Sequence, residues 1–380
     1  MPTVHAKDFS ASASARWLTC PASVIETRKY ENTTSSAAEE GTCAHELGEI
    51  GLRDNLTQEQ LSEYIGKTLT DAPTVEVDKE MVEYVWGYIE YCRSFTGDMF
   101  VEIQVDYSPW AENGFGTSDC IIIGENRGAV IDLKYGKGIE VSAVDNSQAK
   151  LYALGTFNEY DFLYEFNKDY VFELHIYQPR ISNYSTWEIT VGELLEFGEE
   201  VKRKVAESMC DSPVYNPTEK GCLWCVHKAN CVALQKHTEE VIGAMFQDLS
   251  LPSPETVDVQ NVLKNKGLIE SWLKAVEGVV FERLCNGEQV EGFKLVAGRS
   301  TRKWSNEKQA IEELSATQDI EKIFTKKFIT LPQAEKLIGK ADFNSEFGHL
   351  VIKPEGKPTL APSSDKRPSI TDVTEEFDKL

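Results

Sequence analysis

Long apolar stretches are missing from this 380-residue sequence. No run approaches the roughly 20 apolar residues that a membrane-spanning helix requires. The first residues also lack a basic segment followed by an apolar one, as a secretion signal would have. We therefore expect a soluble, cytoplasmic protein without a membrane partner.

Basic charge is scarce as well, with 39 Lys and Arg against 62 Asp and Glu, which gives a net charge of −23. A protein that binds nucleic acid broadly and non-specifically normally presents a basic surface, so the net charge argues against this class. A nucleic-acid enzyme with a local basic groove is still compatible with the composition.

A second C-x-x-C pair, which zinc ribbons usually contain, is also absent. Nine cysteines without a secretion signal point away from a disulfide framework. Three of them lie within ten residues, at Cys222, Cys225 and Cys231, and this density favours a soft metal or an iron–sulfur cluster. A fourth thiolate must then come from elsewhere, either from Cys20, which precedes a proline, or from Cys210.

The most informative feature present is a predicted β-hairpin with embedded charges. Residues 116–123 and 129–135 are rich in β-branched residues and flank a segment with turn chemistry. With the turn centred between Glu125 and Asn126, opposite residue numbers sum to 251, so Asp119 lies opposite Asp132. Lys134 shares the face of Asp132 because strand side chains alternate.

These three charges have two interpretations. An Asp and a Lys two residues apart are more often part of a solvated strand face. The apolar residues around them disfavour full exposure, however, and embedded charges need a partner or a metal. Two carboxylates and one ammonium around a point suit a divalent metal and an attacked phosphate.

Two predicted helices add candidate residues. Residues 36–53 form an amphipathic pattern whose His45 is a possible third metal ligand, although a lone helical histidine is more often a packed or surface residue. Residues 145–159 form a second helix, opened by an Asp cap, with Gln148 and Tyr152 on one face. This pair is either an ordinary polar helix edge or is aimed at a phosphate or at the hairpin lysine.

The order helix, three strands, helix and strand predicts an α/β core with a mixed central sheet flanked by helices. We expect this core to span residues 1–246, a smaller C-terminal α+β region to span 255–352, and residues 353–380 to form a disordered tail. Four residues of the second region combine cations with an aromatic ring. They form either a surface for single-stranded nucleic acid or a solvated loop with a core tryptophan: Arg299, Arg302, Lys303 and Trp304.

Together these motifs resemble the RecB-like branch of the PD-(D/E)XK nuclease superfamily. More narrowly, they look like its iron–sulfur members, the AddB nuclease domain and the CRISPR-associated RecB-like exonucleases. The likeness rests on G-T-x-x-H ending at His45, G-x-x-D ending at Asp119, D-x-K starting at Asp132 and Q-x₃-Y starting at Gln148, with one cysteine before the core and three after it. Residues 16–21, 298–304 and 356–358 also resemble an uncharacterised phage and prophage family of this nuclease type.

The resemblance implies a PD-(D/E)XK core and a role for each site residue. Mg²⁺ or Mn²⁺ would be held by His45, Asp119, Asp132 and the backbone carbonyl of Leu133. Lys134 would orient or activate water and stabilise charge on the phosphate, supported by Gln148 and Tyr152. A structural [4Fe-4S] cluster, or Zn²⁺ as the alternative, would be held by Cys20, Cys222, Cys225 and Cys231.

The sequence thus predicts a metal-dependent DNA exonuclease that hydrolyses phosphodiester bonds, with single-stranded ends favoured, in phage DNA replication or recombination. Because the chain is acidic and carries no helicase motif, we expect a single-strand groove or a partner such as a phage single-strand-binding, annealing or helicase protein. Two alternatives stay open. One is a catalytically silent nuclease-fold adaptor that binds DNA or a recombination partner, and the other is a zinc-stapled interaction protein.

Overall fold

The computed structural model describes residues 6–30, 36–246, 259–298, 303–318, 323, 331–352, 358–362 and 368–369. The chain divides into two compact units, Met1–Trp272 and Leu273–Leu380. The division falls inside one long helix, Val259–Cys285. The sequence predicts the boundary between the two regions in a linker at residues 247–254, which lies outside the described residues.

The first unit is α/β with one five-stranded sheet, as the sequence predicts. The strands are β1 (Asp98–Asp106), β2 (Phe115–Ile123), β3 (Arg127–Leu133), β4 (Val171–Gln178) and β5 (Asn183–Thr190), in that spatial order. The pair β3 and β4 is parallel and the other pairs are antiparallel, so the sheet is mixed.

Helices flank this sheet. In chain order, the helices up to residue 285 are α1 (Ser14–Thr19), α2 (Ser23–Thr27), α3 (Ser36–Arg53), α4 (Gln58–Ser62), α5 (Lys79–Arg93), α6 (Ser147–Tyr164), α7 (Val191–Ser208), α8 (Glu219–Cys222), α9 (Val232–Phe246) and α10 (Val259–Cys285), of which α3, α6 and α7 contact the sheet. In the part of the chain that the structure describes, no helix is long and apolar enough to cross a membrane.

Each face of the sheet has its own core. On β2, Ile121 and Ile123 pack in a cluster with residues of α6 and α7. The alternate residues Cys120 and Ile122 pack in a second cluster with residues of α3 and α5. Strand alternation explains this division, since successive side chains point to opposite faces. The site described below therefore lies in a sheet that is buried on both sides.

The N-cap of α6 is one residue later than the sequence predicts, at Asn146 instead of Asp145. Asn146 is extended, with φ −73° and ψ 110°, and its side chain accepts a hydrogen bond from the backbone N–H of Ala149. Asp145 was expected to cap, but it has a left-handed φ of 51°, which differs from the extended backbone typical of a capping residue. Its carboxylate pairs instead with Lys150.

The second unit combines short strands and helices. The strand β6 (Phe293–Ala297) pairs with β9 (Pro358–Pro362), and β7 (Lys303–Trp304) pairs with β8 (Val351–Ile352). Its helices are α11 (Glu307–Thr317), α12 (Leu331–Ile338) and α13 (Lys340–Glu346).

The strand β9 lies in the stretch that was predicted to be a disordered tail, so that prediction is wrong for these five residues. Composition describes how weakly a segment packs by itself. It does not reveal that β6 offers the backbone partners that order residues 358–362. Within 353–380, only residues 358–362 and 368–369 are described.

Candidate active site

The predicted site residues come together on the β2–β3 hairpin between α3 and α6. The pairs Cys120–Ile131 and Ile121–Val130 both sum to 251, so the predicted register is confirmed, and its next step brings Asp119 to Asp132. One cavity is lined by all six predicted side chains: His45, Asp119, Asp132, Lys134, Gln148 and Tyr152.

A closed set of polar contacts holds the lysine. The ammonium of Lys134 lies 2.9 Å from Asp132 Oδ2 and donates to Gln148 Oε1 at 3.1 Å. The amide nitrogen of Gln148 donates to Asp132 Oδ1 at 3.1 Å and to the Tyr152 hydroxyl at 3.0 Å. Gln148 therefore bridges the lysine and the carboxylate, which is more than an ordinary polar helix edge would do.

The second carboxylate, Asp119, is held by the neighbouring strand and by α3. Its Oδ2 accepts from the backbone N–H of Leu133 at 2.7 Å, and its Oδ1 lies 3.1 Å from His45 Nδ1. The backbone of Leu133 thus contacts Asp119 through its N–H group. The role of its carbonyl as a metal ligand stays a prediction.

A third carboxylate, Glu102, belongs to this site and was missed by the sequence analysis. Its ligand atom and those of His45 and Asp119 lie within 4.8 Å of one another, the one such group found among the described residues. Glu102 lies on β1 between the pairs Val101–Cys120 and Ile103–Ser118, which places it opposite Asp119.

The backbone at Glu102 explains why the residue was missed. Its φ of 46° is left-handed, which is rare for a side-chain-bearing residue and is often found at functional sites. As a result, Val101 and Ile103 pack against opposite faces of the sheet although they are two residues apart. Strand alternation read from the sequence cannot anticipate this reversal. The only available signal was one glutamate among apolar residues.

Burial and mutual charge shift the pKa values of these groups. Burial, together with the nearby Asp119 carboxylate, raises the pKa of Glu102 to about 8. Burial opposes protonation of His45, but the Asp119 carboxylate outweighs it and raises the pKa of His45 to about 9. Likewise, Asp132 outweighs burial and holds the pKa of Lys134 above its usual value. A divalent cation would therefore displace protons from His45 and Glu102 at neutral pH.

The cavity is acidic. At neutral pH three of its side chains are cationic, His45, Arg53 and Lys134, and Glu102 is mostly protonated. Its carboxyl side chains are Glu46, Glu49, Asp71, Glu102, Asp119 and Asp132. An unneutralised surface of this kind repels a phosphodiester. Oxygen ligands in this number suit hard divalent cations, which would also neutralise the excess charge.

The four predicted cysteines line a second cavity, together with Glu26 and His227: Cys20, Cys222, Cys225 and Cys231. The N-terminal segment is held there by the backbone N–H of Asn216, 3.4 Å from Cys20 Sγ, and by the bond from Ala22 N–H to the Val214 carbonyl at 3.1 Å. Cys210 is exposed and does not line this cavity. Of the two candidates for the fourth thiolate, the structure places Cys20 with the other three.

The surroundings of the thiols fit a bound, negatively charged group. Burial lowers the pKa of the Arg16 guanidinium, and negative charge on Cys225 and Cys20 would act against this shift. The Nε of Arg16 is buried without a hydrogen-bond partner. No three of the four sulfur atoms, all in described residues, lie within 4.8 Å of one another. Tetrahedral zinc with bonds of about 2.3 Å needs sulfurs about 3.8 Å apart. The four sulfurs are therefore spaced more widely than a single tetrahedral zinc ion requires.

Of the four predicted DNA-binding residues of the second unit, the structure describes Lys303 and Trp304. Arg299 and Arg302 lie outside the described residues. The ring of Trp304 is partly buried against a core cluster, with its centroid 5.8 Å from that of Phe343. The alternative of a core tryptophan therefore fits Trp304, and Lys303 beside it is exposed.

Comparison with known sequences identifies the family of this chain. The sequence profile of a family described as "Protein of unknown function (DUF2800)" matches residues 5–368. The chain belongs to the DUF2800 family. A solved structure titled "Crystal structure of SSO0001" resembles this DUF2800 member with 14% identity over 58% of this chain and 84% of that chain. The TM-score of 0.26 is too low for that likeness to carry an argument about the fold.

Proposed function

We propose that the protein is a metal-dependent deoxyribonuclease of the RecB-like PD-(D/E)XK type. The observation that carries this proposal is the position of Lys134, whose ammonium lies between Asp132 and Gln148 beside the pair formed by Asp119 and His45. A fixed ammonium next to several oxygen ligands is the arrangement that phosphodiester hydrolysis requires.

Each residue has a distinct role in this proposal. His45, Asp119, Asp132 and Glu102 would hold Mg²⁺ or Mn²⁺, with the Leu133 carbonyl as a further ligand. When bound, such an ion polarises a phosphoryl oxygen and lowers the pKa of a water. Lys134 stabilises negative charge that develops on the phosphate, because its neighbours keep it cationic. Gln148 fixes the position of that ammonium through its contacts with Asp132 and Tyr152.

We further propose a [4Fe-4S] cluster on Cys20, Cys222, Cys225 and Cys231, with Arg16 as its buried counter-charge. The cluster would join the N-terminal segment to the segment after the sheet, a connection across about 200 residues whose closure restricts the unfolded chain. This role is structural. The wide sulfur spacing and the unpartnered Arg16 Nε support the presence of a cluster at these cysteines.

As substrate we propose DNA with single-stranded ends, cleaved as an exonuclease during phage DNA replication or recombination in the host cytoplasm. A net charge of −23 weakens binding to any DNA. A single-strand-binding, annealing or helicase partner would offset this weakness by delivering the strand end.

The test is digestion of end-labelled single- and double-stranded DNA with Mn²⁺ or Mg²⁺ after anaerobic purification. Wild type is expected to shorten the labelled strand, and Lys134→Ala to do so at least about 100-fold more slowly. The matched control is Lys137→Ala, an exposed lysine three residues away, which removes the same charge and should retain activity. Wild-type protein that cleaves no substrate with either metal would contradict the proposal.

A further inference from the structure

The short helix α1 lies between the two sites. It packs against α6, which carries Gln148 and Tyr152, and against α8, which carries Cys222. Just before α1, Ser12 lines the cavity of the candidate active site. Cys20 directly follows α1 and lines the cysteine cavity. Residues 12–20, with α1 at their centre, thus line both cavities.

A buried pair of hydroxyls joins α1 to α6. Ser14 Oγ lies 2.7 Å from Ser147 Oγ, and the two residues are 133 positions apart in the sequence. Ser14 is 1% exposed and Ser147 is 8% exposed. A hydrogen bond in so dry a position is directional and costly to leave unmade. It therefore fixes the relative position of the two helices more tightly than apolar contact alone.

A single residue, Gln148, connects Ser147 to Lys134. Ser147 is the first residue of α6 and immediately precedes Gln148. The amide of Gln148 contacts Lys134 and Asp132, each at 3.1 Å. Hydrogen bonds weaken quickly beyond about 3.2 Å, so these two have little slack. A small shift in the first turn of α6 would break the contact between Gln148 and Lys134 and leave the ammonium held by Asp132 alone.

The other end of α1 is held at the cysteine site. The carbonyl of Thr19 accepts from the Asn216 side chain at 3.0 Å, and Cys20 Sγ lies 3.4 Å from the backbone N–H of the same asparagine. Between the ends, Trp17 is fully buried and its Nε1–H donates to the Ser10 carbonyl at 3.0 Å. The helix is therefore anchored along its length and can transmit the position of one end to the other.

We infer that Ser14 is a positioning residue that couples the cysteine site to the hydrolytic site: filling the cysteine site fixes α1, and the Ser14–Ser147 hydrogen bond then holds Gln148 against Lys134. The inference deepens the proposed function and rests on it for its kinetic consequences. The mechanical coupling itself is independent of the reaction.

The first test is hydrogen exchange, which needs no activity. In wild type, removing the cysteine-bound metal should speed exchange of the backbone amides of residues 149–152 about tenfold. The strand β4 in the sheet centre should keep its protection and serves as the internal reference. In Ser14→Ala, the same α6 amides should already exchange fast with metal bound and should respond little to its removal.

The second test is kinetic. Ser14→Ala should lower kcat about tenfold with KM and bound iron unchanged, since the defect lies in the placement of Lys134. Ser147→Ala should do the same, and the double variant should be no worse than either single one. Ser208→Ala is the matched control, because Ser208 is equally buried but its hydroxyl bonds within its own helix.

The outcomes separate the two proposals. The coupling is refuted if the exchange rate of the α6 amides in wild type does not change when the cysteine-bound metal is removed. It is also refuted if Ser14→Ala has the same kcat and the same exchange rates as wild type. Loss of bound iron in Ser14→Ala would also refute it, by making Ser14 part of the cysteine site. Wild type that cleaves no DNA but shows the exchange coupling would overturn the nuclease and support the coupling.

Discussion

Substitution of Gly116 by alanine tests the packing on which the site depends. A Cβ at Gly116 would lie 2.7 Å from Tyr152 Cε1 and 3.1 Å from Ala11 Cβ. Both separations are shorter than ordinary van der Waals contact. Tyr152 is 6% exposed and its hydroxyl is bound by Gln148, so the ring cannot swing aside without breaking that bond. The glycine of the G-x-x-D motif thus has a steric reason in this fold.

The expected cost is that of overpacking, about 1–3 kcal/mol. At about 2–4 °C per kcal/mol, Gly116→Ala should melt several degrees below wild type. Because a displaced Tyr152 pulls on Gln148, kcat for DNA cleavage should also fall about tenfold.

The glycine of the other motif, Gly41, provides the control. A Cβ there meets nothing within 4 Å, and Gly41 lies inside α3. Glycine in a helix interior costs about 0.5–1 kcal/mol relative to alanine, so Gly41→Ala should raise the melting temperature. Thermal unfolding followed by circular dichroism compares the two variants directly. The packing argument is refuted if Gly116→Ala melts at or above the wild-type temperature.

Three further predictions concern the metals. Mn²⁺ affinity should rise from pH 6 to 9 in calorimetric titrations, because the metal needs the deprotonated forms of His45 and Glu102, whose pKa values are about 9 and 8; a flat profile would contradict the shifts. Glu102→Gln should weaken Mn²⁺ binding at least about tenfold and leave only the pH dependence of His45, since it removes a ligand charge at constant shape; unchanged affinity would exclude Glu102 as a ligand. Cys20→Ser should lose bound iron and sulfide, measured after anaerobic purification, whereas Cys210→Ser should keep both; equal iron content would contradict the choice of Cys20.

Local chemistry was enough to predict the hairpin. Residues 124–128 carry turn signals between two β-branched arms. A short turn allows the two arms to pair in one register. That register brings Asp119 to Asp132, and the helical spacing of Gln148 and Tyr152 places both on one face. Short-range geometry leaves little for the tertiary structure to change in such cases.

Elements that depend on distant partners were harder to predict. The cap of α6 moved from Asp145 to Asn146 because the backbone before the helix turns left-handed. The strand β9 forms because β6, some sixty residues earlier, accepts it. Glu102 joins the site because a left-handed residue reverses the faces of β1. None of these outcomes follows from nearby residues.

The sequence by itself determined the α/β class, the mixed sheet and the membership of each motif in a helix or strand, because periodicity and turn chemistry act over a few residues. The tertiary structure alone decided which motifs meet. It brought α3 and α6 to the same hairpin, placed Cys20 rather than Cys210 beside three distant cysteines, and set Ser14 against Ser147. These contacts join separate elements, and those of Ser14 and Cys20 join residues more than a hundred positions apart. Their pairing depends on the packing of whole helices against the sheet.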